Sequence, residues 1–224
     1  SAAVSADVTM SQGSAEGAIS LTLAGSANIS SGNIDTVSSF TFSAAGASES
    51  VDITDISASG ISITTGIQGD LSASAINSVS TITVDASGST TAQGVTLTSV
   101  SASGAISITM GAGSGALSLT TAESTEKSIT ISATRFDGEV DVTDIGASGI
   151  TVSLGSGGDF SASSVNTAGG FTFNAQDTDA SGEQINLTNV SASGVSMNMG
   201  AASLVSVQIS ALTVASGDFK FSGT

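Results

Sequence analysis

Histidine, cysteine, proline, tryptophan and tyrosine are all absent from this chain of 224 residues, and lysine and arginine together number 3. Each absence excludes a chemistry. Without histidine or cysteine there is no imidazole base, no thiolate nucleophile and no His/Cys zinc site. The 3 cations stand against 19 acids, a formal net charge of −16. Such a surface repels a phosphate backbone and has too few cations to track one, which sets nucleic acid aside as a partner. No apolar run approaches the roughly 18 residues of a membrane-spanning helix. No secretory signal is visible, and a start at Ser1 reads as a processed chain or as a piece of a longer one.

What is present is small and hydroxylated, with 46 serines and 27 glycines. Disorder does not follow from this, because 39% of the chain is hydrophobic and only 10% is charged. The apolar residues also recur at fixed spacing. Ser57-Ala58-Ser59-Gly60 returns at Ser101–Gly104 and Ser191–Gly194, with variants at Ser14–Gly17 and Gly146–Gly149. The closing glycines are 43, 44, 45 and 45 residues apart. A self-similar period of this length is the mark of a repeat architecture.

Each period divides in two. An apolar-x-apolar triplet occurs ten times, from Ile19/Leu21 through Phe40/Phe42, Ile61/Ile63 and Ile106/Ile108 to Phe219/Phe221, at steps of 21 to 24 residues. A second ladder starts at Val8, Ile29, Val51, Leu71 and Val95 and continues to Val207. A third, looser one runs through Val37, Ile56, Val79, Val100, Ile145, Val190 and Leu212. Period-2 alternation rich in Ile, Val and Thr means strands. Units of about 22 residues cannot close a core alone and must stack.

The expected fold is all-β, a single-chain parallel β-solenoid (β-helix) of about ten coils with three short sides, each ladder forming one parallel sheet. Coils about 4.8 Å apart make a rod about 48 Å long. The whole of 1–224 is one repeat domain of five double coils, 8–50, 51–94, 95–139, 140–184 and 185–224. A longer period overlays Gly69–Ser74 on Gly158–Ser163 and Val51–Ile56 on Val140–Ile145, 89 residues on, as duplication of a four-coil block. The alternative is a five-bladed propeller or a β-sandwich, which lacks aromatic or Trp-Asp signatures here.

The residue inside each first-ladder triplet points outward: Ser20, Thr41, Ser62, Thr83, Ser107, Thr130, Thr151, Thr172, Ser196 and Lys220. Nine of these ten are Ser or Thr. A solvated β face accounts for them. A flat hydroxyl face also resembles the Thr-x-Thr arrays of ice-binding solenoids, although Asn, Asp and Lys interrupt it here.

Acids gather at the alternate, longer corners near 43–50, 85–94, 133–139 and 174–184, and just beyond them. Asp52, Asp55, Asp141, Asp144, Asp177 and Asp179 are candidate oxygen ligands for Ca²⁺, the one cofactor the composition suits. Surface charge for solubility explains the same residues. Neither an EF-hand loop nor the Gly-Gly-x-Gly-x-Asp nonapeptide occurs. Enzyme chemistry is set aside. The acid pairs recur with the repeat as structural features do, no Asp-Asp dipeptide occurs, and no Trp or Tyr platform exists for a sugar.

The ends suggest mating edges. The chain opens on Val8 and Met10 and closes on Phe219 and Phe221, with no polar capping helix at either end. A second copy added head to tail continues the ladders, a heterologous contact that does not close and so builds a filament. A segment of a longer repeat protein fits the same pattern.

Repeat pattern and composition over nearly all of 8–221 resemble bacterial extracellular β-solenoid proteins: surface-layer proteins, repeat adhesins and secreted filament subunits. The resemblance implies a secreted or cell-surface structural role without turnover chemistry. Its partners would be copies of the chain itself and cell-surface glycan. Adhesion or ice contact through the Ser/Thr face is the alternative, and a glycan-active enzyme the third.

Overall fold

The computed structural model describes residues 7–25, 28–47, 50–66, 69–88, 93–113, 115–135, 137–155, 158–175, 184–200 and 206–223. Their regular structure is strand throughout, stacked in parallel as a right-handed solenoid. Alternate strands of the chain belong to opposite sheets. Short strands form a ten-stranded sheet running from Ile19–Gly25 to Phe219–Gly223. Longer strands form the other, from Ile29–Thr36 to Ser206–Val214, and its first rung is broken into Val8–Met10 and Gly13–Ala15. The pairings are parallel, which excludes the propeller and the sandwich.

Two of the three ladders appear in the register that the sequence implies. Ile19 pairs with Phe40, Phe40 with Ile61, and so on through Ile106 and Ile150 to Phe219. Val8 pairs with Ile29, Ile29 with Val51, and so on to Val207. These side chains meet between the sheets. Phe40, Phe42, Ile63, Ile82, Ile108 and Ile131 are fully buried. The rings of Phe160 and Phe173 bridge the two sheets with centroids 5.1 Å apart and planes tilted by 43°. Each such burial removes apolar surface from water and contributes about 1.5–3 kcal/mol.

The third ladder differs from expectation in two ways. It forms no third sheet, because it lies on the same long strands as the second ladder, beyond a kink. In Ile29–Thr36 the inward residues are Ile29, Ser31, Ile34 and Thr36, with Gly32 and Asn33 both turned away from the core. Two successive outward residues shift the period-2 phase by one, as a bulge does. Asn33 (φ 50°), Asp55 (φ 53°) and Ala75 (φ 51°) make this bend in the left-handed region. Membership changes accordingly: Ile34 pairs with Ile56, Ile56 with Ile76 and Ile76 with Val100. Val37 and Val79, expected to point inward, are 76% and 75% exposed. Each follows an inward hydroxyl, Thr36 or Ser78, and so falls on the opposite phase.

Those hydroxyls explain the 44-residue period. The long strands end alternately in a buried hydroxyl (Thr36, Ser78, Ser124, Thr167) and in alanine (Ala58, Ala102, Ala147, Ala192). Thr36 Oγ1 donates to the Gly17 carbonyl at 2.6 Å. Ser78 Oγ donates to the Ser59 carbonyl at 3.0 Å, and Ser124 Oγ to the Gly104 carbonyl at 2.8 Å. These three hydroxyls reach back to the preceding coil's corner, while Thr167 Oγ1 accepts from Gly169 N–H at 3.2 Å. The alanine coils turn instead through Ala-Ser-Gly, held by backbone bonds such as Ser59 N–H to the Ser38 carbonyl at 2.7 Å and Thr125 N–H to the Ala102 carbonyl at 3.0 Å, and at one such corner the Ser103 hydroxyl donates to the Val79 carbonyl. Two corner chemistries alternate, so the repeat is two coils long.

Candidate functional site

Three regions qualify as sites: the outer face of the short-strand sheet, the acidic outer face of the long-strand sheet, and the two tips.

On the short-strand sheet the outward column is in unbroken register, Ser20 to Thr41 to Ser62 to Thr83, and onward through Ser107, Thr130, Thr151, Thr172 and Ser196 to Lys220. A second column lies two residues further along each strand, from Thr22 and Ser43 to Asn198 and Ser222. Over the last rungs its side chains bond to one another along the rod. Ser222 Oγ donates to Asn198 Oδ1 at 2.8 Å, Asn198 Nδ2 to Asn174 Oδ1 at 2.8 Å, and Asn174 Nδ2 to Ser153 Oγ at 3.4 Å. Across the 20 positions of the two columns only Asp85 and Lys220 carry charge. Asp85 Oδ1 accepts from Ser87 N–H at 2.9 Å. Lys220 Nζ lies 3.6 Å from Asp218 Oδ2, with both side chains more than two-thirds exposed. Solvent screens such a pair, and it contributes little.

The acids sit on the other side. Asp52 and Asp55 lie on Val51–Ala58, and Asp141 and Asp144 on Glu139–Ala147. Four strand steps separate the two pairs, about 19 Å at strand spacing, so they do not share an ion. Asp52 is flanked in register by Ser30 and Ser72, and Asp141 by Ser118 and Ser161. Asp177 and Asp179 fall outside the described residues. Among the described residues no three acids come together around a common point.

Asp70 and Asp159 have a role that the sequence signalled only as duplication. Each precedes a second-ladder residue, and each carboxylate accepts from the backbone N–H of the equivalent corner one coil on: Gly94 N–H to Asp70 Oδ1 at 2.7 Å, Gln184 N–H to Asp159 Oδ1 at 2.8 Å. Their own carbonyls accept from the coil before, from Val51 N–H and Val140 N–H, both at 2.8 Å. One residue thereby ties three coils. Asp7 repeats the arrangement with Asn28 N–H at 3.2 Å. The shared Gly-Asp phrase, 89 residues apart, was the visible signal.

At the tips the predicted assembly residues are only partly covered. Phe219 and Phe221 are 45% and 54% exposed, and Leu212 is 37% exposed. At the opposite tip Met10, Ile19 and Leu21 pack against the core while remaining partly open. Val8 begins the first rung there, in register with Ile29.

This architecture places the chain among β-solenoid repeat proteins. No protein-family model, no curated protein and no solved structure matches it.

Proposed function

We propose that this chain is an extracellular structural subunit that assembles head to tail, tip on tip, into a filament or surface layer. The supporting observation is the match between its tips. Among the described residues the Phe219–Gly223 and Ser206–Val214 strands each present an unpaired parallel edge and open apolar rungs, Phe219, Phe221 and Leu212. The opposite tip presents Met10, Ile19 and Leu21 from the same ladders. A copy docked there sets Phe219 over Ile19 and Phe221 over Leu21, the register that every interior rung already uses. An unpaired edge templates such addition, and a head-to-tail contact does not close. Bacterial origin, secretion and calcium at the acidic corners belong to this reading through composition and charge.

Electron microscopy tests it. The chain at rising concentration should form rods far longer than one subunit, and Phe221→Asp should stop growth by burying an unpaired charge at the junction. Single short rods at every concentration, identical for both proteins, overturn the reading. Chelation by EDTA separates calcium-assisted from calcium-independent growth.

Adhesion or ice contact through the Ser/Thr face is the second reading, supported by the unbroken register of its outward column. Ice faceting or thermal hysteresis would carry it. Release of reducing sugar from acidic polysaccharide would carry the third, a glycan-active enzyme.

A further inference from the structure

The charge of −16 is spread unevenly over the rod. The outer face of the long-strand sheet carries Asp35, Asp52, Asp55, Glu123, Asp141 and Asp144, all exposed but the half-buried Asp141. Corner residues Asp70 and Asp159 lie on one flank of the rod, Glu126 and Asp218 on the other. Among the described residues only the short-strand face is free of this field, and its two charges are of opposite sign. Two copies of so acidic a chain approach at least electrostatic cost through that face, since like charges brought together elsewhere repel.

We propose that the outer face of the short-strand sheet is a lateral interface between two copies of this chain, packed face to face with rod axes antiparallel, so that Asp85 of each lies near the partner's Lys220. Ser, Thr and Asn side chains keep the face flat, and their hydroxyls and amides both donate and accept, so the surface complements itself. A two-fold axis through the Gly149–Leu154 strand lays the rung of Asp85 across the rung of Lys220. Thr151 then meets the partner's Thr151 at the centre. Lys220 sits one outward position from Asp85 along the strand direction, a gap of about 7 Å that its four-carbon stem spans. In leaving Asp218 it gives up only an exposed contact. From the Ile82–Ala86 strand to Phe219–Gly223, seven rungs overlap. The contact covers about 34 Å by 17 Å, or about 1,100 Å² counting both partners, above the roughly 1,000 Å² that a specific interface needs. The contact is isologous and closes as a dimer, unlike the tip contact. It does not rest on the head-to-tail reading.

Sedimentation equilibrium of the Phe221→Asp chain tests it, because that substitution blocks growth at the tip and leaves the face intact. The expected mass is twice the 21.4 kDa of one chain. Asp85→Lys should weaken the dimer about tenfold or more, and Asp85→Lys combined with Lys220→Glu should restore it. Thr130→Asp with Thr151→Asp, at the centre of the face, should give monomer. Ser118→Asp with Ser161→Asp, on the acidic face, should leave the dimer unchanged, and far-UV circular dichroism checks that every variant keeps its strands. A single-chain mass for Phe221→Asp at all concentrations overturns the proposal, as does a charge swap that restores nothing. Adsorption of a monomeric chain to ice or to an insoluble neutral glucan, abolished by the Thr130/Thr151 pair, overturns it too by giving the face another occupant. Long filaments that are nonetheless unpaired would sink the lateral contact while leaving the tip contact standing.

Discussion

Ser31 and Gln93 each leave a polar side-chain atom without a partner in the buried interior. Ser31 Oγ is buried with no hydrogen-bond partner, on a rung stacked in register on Met10 and Ile53. An unpartnered buried hydroxyl costs about 1–3 kcal/mol, so Ser31→Ala should raise the unfolding free energy by about 1 kcal/mol in urea titration. A drop instead would show that the hydroxyl has found a partner, such as a trapped water. Gln93 Nε2 donates to Thr65 Oγ1 at 2.9 Å, while its Oε1 is unpaired. Thr65→Val alone strands the amide and should cost about 1–3 kcal/mol. Adding Gln93→Leu removes both halves of the polar pair and should recover most of that loss, a coupling that a double-mutant cycle measures. Ala75 is the third case. Its left-handed φ suits Asn33 two coils before it but costs an alanine about 1 kcal/mol. Ala75→Gly should therefore be neutral or stabilising, and equal destabilisation by Ala75→Gly and Ala75→Val would show that the backbone there carries no strain.

At the scale of strands and corners, the first two ladders were legible because inward Ile, Val, Leu and Phe alternate with outward Ser and Thr, and the two phases differ sharply in polarity. The third was misread at Val37 and Val79 because polarity and phase part company there. Thr36 and Ser78 occupy the inward position as corner ties, and a β-branched apolar residue follows on the solvent side. Nothing in the local pattern separates that from a conventional inward valine. The clue lay in counting back to Ile34 and Ile76. The kink hid the number of sheets, since it bends a strand without ending it. The candidate site was legible in part. The outward column from Ser20 to Lys220 lies in one register on the short-strand sheet, while the acids proposed as ion ligands follow the repeat and are spread along the rod with it. The ties made by Asp70 and Asp159 predict that either Asp→Ala change costs about 1–2 kcal/mol, since each removes a charge-assisted acceptor from a backbone N–H. Asp→Asn should cost less, because the amide oxygen still accepts. At Gly104 an added Cβ would run into the Ser80 backbone carbonyl of the neighbouring corner, so Gly104→Ala should be worse than either.

At the scale of the whole rod, each rung touches only the rungs above and below, as in other linear repeats. Stability is then highest in the middle and falls toward both tips. Hydrogen exchange should be slowest near Ile106–Met110 and Ser128–Ala133 and fastest in Ser206–Val214 and Phe219–Gly223, whose side chains are largely exposed. Uniform protection from tip to tip would mean that the stack behaves as one cooperative block.

The inter-strand hydrogen bonds point along the rod's long axis, and this decides how it meets a mechanical load. Sideways bending engages both sheets at once and is resisted. A pull on the two ends loads the rungs in series, so the weakest peels first and the others hold. Each peeled coil would release about 22 residues, roughly 70 Å of slack. A force-extension trace should show a train of small, evenly spaced steps of that size where a globular domain gives a single large rupture, making the rod stiff to shear yet yielding stepwise in tension.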